Sequence, residues 1–242
     1  MCIAAFLAGG LNSLAGGGSF ITLPALLYAG ITPVLANTTS AAVLLPGYLG
    51  SVMGFKNTFS TLNLKKLMPL LALTIIFSIG GAYLLINSSD EFFLQFIPFL
   101  ILIATLLFIF NPTSELASVD TSANLSQKIG LSIVSTYGGY FNGGLGIALL
   151  SVLSLGNQFS LKQMSAVKSL ISFLITTVSV SVFLFNGFIV WSYVLYMVLF
   201  SVLGGFAGAK LTEILPAILV RKFIILVGLS LSASLIFIGY IK

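Results

Sequence analysis

Long apolar runs, parted by short polar breaks, recur along this chain from end to end. They fall at about 1–30, 34–55, 67–87, 92–110, 129–156, 165–186, 189–209 and 222–241. A helix needs ~20 apolar residues to cross the hydrocarbon core, and none of the runs shows the ~10-residue alternation of a membrane barrel strand. The pattern predicts an all-α, polytopic helical membrane protein with about eight hydrophobic segments. One sizeable polar stretch, "NPTSELASVDTSANLSQK", divides them into two groups of four. The expected organisation is a first transmembrane repeat at 1–110, a polar linker at 111–128 and a second transmembrane repeat at 129–242.

The first and fifth segments depart from the rest because glycines interrupt them. Residues 11–27 read "LNSLAGGGSFITLPALL", and Gly16, Gly17 and Gly18 loosen a helix where they stand. "GGLNSLAGGGSF" is echoed by "GGYFNGGLGIAL" in the fifth segment, and "SIGGAYLL" in the third by "VLGGFAGAKL" in the seventh. A helix opening with small or polar residues follows each broken segment. This is an internal duplication by pattern, of a kind common in transporters.

Charge decides how the broken segments are expected to lie. If all eight segments cross, the basic residues outside them split five against four and give no orientation. If the first and fifth are re-entrant hairpins, Lys56, Lys65, Lys66, Lys128, Lys162, Lys210, Arg221 and Lys222 share one face and only Lys242 lies on the other. Eight against one is what the positive-inside rule expects. The pieces 1–15, 19–30, 129–142 and 145–156 are each too short to cross alone. Hairpins leave three crossings per half, hence inverted repeats, with the linker cytoplasmic and both termini outside.

A break inside the bilayer frees backbone groups that lipid cannot satisfy, so it must face protein or a watery cavity. The first half-helix is expected to end near Gly16 and the second to begin near Ser19. The leading N–H groups of the second have no partner within their helix and carry roughly half a positive charge, which suits an anion. Gly143 and Gly144 repeat the arrangement from the opposite face. Two helix starts meeting near the midplane would make one site for a small anion. The candidate substrate-binding residues are Asn12, Gly16, Gly17, Gly18 and Ser19 from the first hairpin, Asn37, Thr38 and Thr39 from the next helix, Asn142, Gly143 and Gly144 from the second hairpin, and Lys168. Neutral N–H and O–H donors match an oxyanion without burying a full countercharge.

Each candidate has a blander alternative. Glycines also let membrane helices pack closely, and that is the reading given to Gly80, Gly81, Gly204, Gly205 and Gly208. At the two clusters, the duplication and the neighbouring asparagines favour a functional break. Lys168 is an ionisable group within an apolar segment, hence a functional candidate. It also stands about a turn from its helix start, near enough to snorkel to the interface, and both readings stay open. Trp191, Tyr193 and Tyr196 fit an interfacial belt.

Composition narrows the function classes. Of 242 residues 58% are hydrophobic and 6% charged, against roughly 25% charged in soluble domains. With one cysteine and no histidine, no cysteine–histidine metal site and no histidine-based catalysis is expected. No paired carboxylates, Ser–Lys dyad or nucleotide-binding motif can be placed, so neither an enzyme, a cofactor nor direct ATP drive is expected. The net charge of +5 is explained by cytoplasmic loops rather than a nucleic-acid partner. No basic stretch precedes the first apolar residues, so a cleavable signal peptide is not expected.

These residues resemble the TauE/SafE, or sulfite exporter, family. The resemblance rests on "AGGLNSLAGGGSFITLPALLYAGITPVLANTTS" at 8–40, with "YGGYFNGGLGIALL" at 137–150, "MSAVKSLIS" at 164–172 and "GGFAGAKL" at 204–211. It implies a bacterial inner-membrane transporter of seven or eight segments that moves sulfite, sulfoacetate or a related organic anion, usually outward. The second half departs from the first, with Leu145 in place of a third glycine and Ser151 roughly where Pro24 stands. The expected function is a secondary transporter exporting a small sulfur-containing anion, with that anion and membrane lipid as expected partners and the oligomeric state left open. A channel-like anion pore and a non-transporting membrane subunit are the alternatives.

Overall fold

The computed structural model describes residues 1–62, 64–110, 125–155, 159, 161–211 and scattered positions between 222 and 236. Side chains at 13–15, 64–66, 104, 107, 108, 110, 161, 162 and 209–211 are outside the description. Most of the expected linker, Arg221, Lys242 and much of the last apolar segment lie outside the described residues. Within them the chain is helical and holds no strand: α1 (Cys2–Ala15), α2 (Ser19–Tyr28), α3 (Pro33–Gly54), α4 (Lys56–Phe59), α5 (Leu64–Ile86), α6 (Asp90–Phe110), α7 (Leu125–Tyr140), α8 (Leu145–Ser154), α9 (Leu161–Phe185) and α10 (Trp191–Leu211). Residues 125–128, polar enough to be grouped with the linker, form the first turn of α7.

Local chemistry accounts for several boundaries. Pro33 opens α3, where a missing N–H costs nothing and the fixed φ is already helical. Asp90 and Glu91 occupy the first turn of α6, facing the positive end of its dipole. Segments within α5, α9 and α10 are long and apolar enough to cross a membrane.

The molecule is built polar-inward. On α10, Leu195, Leu199, Leu203 and Phe206 are exposed, while Ser201, Gly204, Gly205 and Gly208 are buried. On α9, Ser169, Ser172, Thr176 and Ser179 are all buried. Thr176 and Ser179 donate to the carbonyls of Ser172 and Ile175, each at 2.8 Å. An apolar outer face of this extent would be an aggregation surface in water. In lipid it is solvated.

Both interrupted segments fold back on themselves. Gly16 ends α1 at φ 77° with its N–H bonded to the carbonyl of Asn12, and Gly18 then packs against the carbonyl of Ala8. In the second, Gly144 caps α8 at φ 73°. Gln127 at the start of α7 reaches the carbonyl of Leu153 at the end of α8, 3.4 Å away, and Gly130 lies against Val152. Positive φ is a conformation that glycine adopts without steric cost.

The two halves interlock through matching contacts. α1 packs chiefly on α10, and α7 on α5. In the first pair, Gly9 abuts the carbonyl of Ser201 and Gly204 abuts that of Phe6; in the second, Gly139 abuts the carbonyl of Ser78 and Gly81 that of Thr136. The spacing is the same on all four helices. Of the glycines read as packing positions, Gly81, Gly204 and Gly208 are set against another helix, Gly205 lies against Gly9 while also lining a cavity, and Gly80 meets nothing within 4 Å among the described residues.

A methyl group at Gly204 would sit 1.8 Å from the Phe6 carbonyl oxygen, so Gly204→Ala must part α1 from α10. Its expected cost is about 1–3 kcal/mol. Gly80→Ala, with open space around it, is expected to gain up to about 1 kcal/mol from helix propensity. Thermal unfolding of the two variants in detergent, against wild type, checks both signs.

Candidate functional site

The interruption of α1–α2 meets that of α7–α8 inside the protein. Gly16 lies against the backbone of Gly146, where an added methyl group would come within 2.9 Å of its Cα. A methyl on Gly143 would approach the ring of Phe20 to 2.8 Å. The carbonyls freed at the end of α7 find local donors: the Tyr137 hydroxyl bonds the carbonyl of Gly143, and Asn37 Nδ2 donates to the carbonyl of Tyr140 at 2.9 Å.

A cavity of about 640 Å³ reaches this junction. Asn12, Gly16 and Gly146 lie at its breaks. Pro46, Gly47, Tyr48, Gly50, Ser51 and Gly54 line it from the second half of α3, with Phe55 just beyond. Ser165, Lys168, Ser169 and Ser172 line it from the first half of α9, and Val202, Gly205 and Phe206 from α10. The lining polar residues of α9 fall at i, i+3, i+4 and i+7 from Ser165, one face of a helix. Helix α3 carries its wall toward the exposed Lys56. Among the described residues, no carboxylate lines the cavity.

A hydrogen-bonded chain links the two breaks below it. The Tyr48 hydroxyl donates to Asn142 Oδ1 at 3.1 Å and is also engaged by Asn12. Asn142 Nδ2 donates to Thr176 Oγ1 at 3.0 Å. Asn12 Oδ1 and Ser172 Oγ, both buried, have no hydrogen-bond partner. Buried polar atoms left this way are costly and call for an explanation. Both belong to residues of the cavity wall, although each atom is itself closed off from the cavity space and the Asn12 oxygen can only accept a hydrogen bond.

The structure brings some of the expected residues together and separates others. Asn12, Gly16 and Lys168 line the cavity. Asn142 lies one hydrogen bond behind it, through Tyr48. Gly17 packs on Leu11 and Phe20, Gly18 on Ala8 and Leu44, and Ser19 is buried at the start of α2; none of the three is among the lining residues. Of the two helix starts expected to share one site, the start of α8 reaches the cavity, through Gly146. The start of α2 does not. Gly143 and Gly144 form the turn that delivers Gly146.

Asn37, Thr38 and Thr39 stand elsewhere. They join α3 to neighbouring backbone at the end opposite the cavity mouth: Asn37 to Tyr140, Thr38 to the carbonyl of Phe188, and Thr39 Oγ1 accepting from the Val190 N–H at 3.1 Å. A smaller, more open depression of about 450 Å³ lies at that end, walled by Thr32, Leu35, Ser88, Asp90 and Phe188 among others.

Sequence reasoning missed Tyr48, Gly146 and the hydroxyls of Ser169 and Ser172. The α9 stripe was visible in the 165–168–169–172–176 spacing. Tyr48 carries no local signal, since its partner is 94 residues away.

Residues 1–235 match the family described as "Sulfite exporter TauE/SafE". The chain is 28% identical over 236 residues to a "Probable membrane transporter protein" of Haemophilus influenzae, covering 96% of this chain and 91% of that one. It is 26% identical to "Probable membrane transporter protein ORF9" of a Sinorhizobium species, over 97% and 90% of the two chains. To "Probable membrane transporter protein YfcA" of Escherichia coli K12 it is 28% identical, over 96% and 87%. No solved structure matches. With apolar helices surrounding a polar interior, the chain is a multi-pass bacterial membrane transporter, not an enzyme, and it belongs to the TauE/SafE sulfite exporter family.

Proposed function

We propose that this transporter exports a small sulfur-containing anion, such as sulfite, sulfoacetate or a related organosulfonate, through a site between two inverted repeats. The observation that carries the reading is the meeting of two interrupted helices at the deep end of a cavity walled by Lys168 and a row of hydroxyls. Lys168 supplies positive charge to a wall that holds no carboxylate among the described residues. Gly146 exposes the backbone at the start of α8, where the helix dipole favours an anion. The Ser172 hydroxyl, without a partner among the described residues, adds a neutral donor of the kind oxyanion oxygens accept. The carbonyl end of α1 at Gly16 opposes this field, and Lys168 offsets it.

Orientation follows from the basic residues. We read the face bearing Lys56, Lys128 and Lys222 as cytoplasmic, the linker with it, and both termini as outside. Each hairpin then enters from the opposite face to the other. The cavity mouth near Lys56 faces the cytoplasm, where an exported substrate is loaded. The cavity reaches the breaks from one end, while hydrogen bonds close the other. That favours a carrier, alternating by motion of one repeat against the other, over an open anion pore.

Flux of sulfite, sulfate, thiosulfate and sulfoacetate through purified protein in liposomes, against protein-free vesicles, tests the substrate class. Saturable movement of at least one sulfur anion is expected, and equal flux in empty vesicles refutes it. Lys168→Gln is expected to lower that flux about tenfold or more, the loss of one charged hydrogen bond. Lys168→Arg, which keeps the charge, should retain more of it.

The membrane potential gives a second check. An inside-negative potential drives an anion outward by about 2.3 kcal/mol per charge per 100 mV. Vesicles clamped inside-negative should lose labelled sulfite faster than unpolarised ones. Accumulation of sulfite inside against that potential would overturn export by simple uniport.

A further inference from the structure

We infer that this structure is the state open to the lysine-bearing face, and that Asn37, Thr38 and Thr39 are bolts of the seal on the other face rather than ligands of the cargo. The inference rests on the alternating carrier proposed above. Three sets of observations lead to it.

The first is where these side chains spend their hydrogen bonds. Asn37 Nδ2 holds the carbonyl of Tyr140 at the end of α7. Thr38 bonds the carbonyl of Phe188, and Thr39 receives the N–H of Val190, both in the turn between α9 and α10. Two further bonds lie alongside: the Val34 N–H to Asp90 Oδ1 at 2.8 Å, and the Tyr140 hydroxyl to Ser88 Oγ at 3.3 Å. The first half of α3 is thereby tied to α6, to the end of α7 and to the start of α10. A ligand-binding side chain would keep a group in reserve for its cargo. The Ser172 hydroxyl, on the cavity wall, does so; Thr38 and Thr39 Oγ1 are engaged by backbone, and Asn37, whose Oδ1 has no partner among the described residues, is not among the residues lining the cavity.

The second is the one-sidedness of the cavity. Its walls are the second half of α3, the first half of α9 and the second half of α10. The seal occupies the opposite ends of those helices.

The third is the correspondence between the halves. Matching glycine contacts equate α1 with α7 and α5 with α10. Asn12 and Asn142 then take equivalent places beside the two breaks, and Asn142 bonds both following helices, Tyr48 in α3 and Thr176 in α9. Tyr48 and Thr176 stand at the same distance from the starts of their helices, Pro33 and Leu161. Ser51, on the open cavity wall, is matched in this register by Ser179, which is buried beyond Thr176. Breaking the seal should therefore expose Ser179 outside as Ser51 closes inside. The Tyr48–Asn142 bond lies between the two positions.

Labelling with a membrane-impermeant maleimide tests this without any cargo. Cys2 is the chain's one cysteine, so a Cys2→Ser background carries single reporters at Ser51→Cys or Ser179→Cys. Inside-out and right-side-out vesicles present the two faces. With the seal intact, Ser51→Cys should react from the cytoplasmic face at least fivefold faster than Ser179→Cys reacts from the outer face. Adding Thr38→Val and Thr39→Val, which remove the hydroxyls and keep the shape, should raise outer labelling of Ser179→Cys at least fivefold and slow Ser51→Cys. Unchanged rates in a double-valine protein that elutes as a single sharp peak overturn the assignment. So does faster reaction of Ser51→Cys from outside. Should the valines prevent folding, a Thr39→Cys, Val190→Cys bridge across the seal decides instead. In the Cys2→Ser background it should cut anion flux at least tenfold on oxidation and restore it on reduction, and unaltered flux with the bridge formed overturns the seal. If no anion moves through wild type, the transport reading fails while the labelling arm still stands or falls alone.

Discussion

A main chain that leaves its helix inside hydrocarbon must find partners for every amide it exposes, because lipid offers none. That requirement governs this molecule. Its two interrupted helices meet, so that Gly16 rests on Gly146 and the turn at Gly143 on Phe20. Nearby side chains complete the arrangement. Tyr137 takes the carbonyl of Gly143, Asn37 that of Tyr140, and Gly16 closes on Asn12. Each interruption is thus sheltered by the other half of the chain.

The same requirement explains why polar residues run along the inside of helices whose outer faces are leucine and phenylalanine. In lipid there is little hydrophobic drive for helices to associate, so close backbone contact and hydrogen bonds hold them together. Gly9 on Ser201 and Gly139 on Ser78 provide the first, and Tyr48, Asn142 and Thr176 the second. A transporter gains from this economy. Contacts made of small residues and single hydrogen bonds can be exchanged for others, whereas a jigsaw of large side chains would lock one packing.

Much of the fold was legible because it is written locally. Runs of apolar residues announce helices, and three glycines in a row announce a stop, so the end of α1 beside Gly16 and the start of α2 at Ser19 were readable to the residue. The placement of Asn12 and Asn142 beside the two breaks was readable too, from the echo between the halves. What could not be read depends on residues far apart in sequence. Tyr48 looks like any aromatic in an apolar helix until Asn142 is found beside it. Asn37, Thr38 and Thr39 are polar residues in a membrane segment, and local reasoning assigns them to a ligand. Their partners are main-chain atoms at positions 140, 188 and 190, which nothing in the local sequence could reveal.

The two interruptions are not copies of each other. Asn12 precedes the cap of its second half-helix, Gly18, by six residues, whereas Asn142 precedes Gly144 by two. The surplus of about one helical turn keeps Asn12 wound into α1, while Asn142 lies in the unwound stretch. An alternating carrier of two identical halves would have two conformers of equal free energy, related by a two-fold rotation, and would idle half the time in each. Unequal halves remove that degeneracy, and about 1.4 kcal/mol between them is already a tenfold preference. In the carrier proposed above, the extra turn beside Asn12 would bias the empty protein, giving it a resting posture before any cargo or voltage is applied.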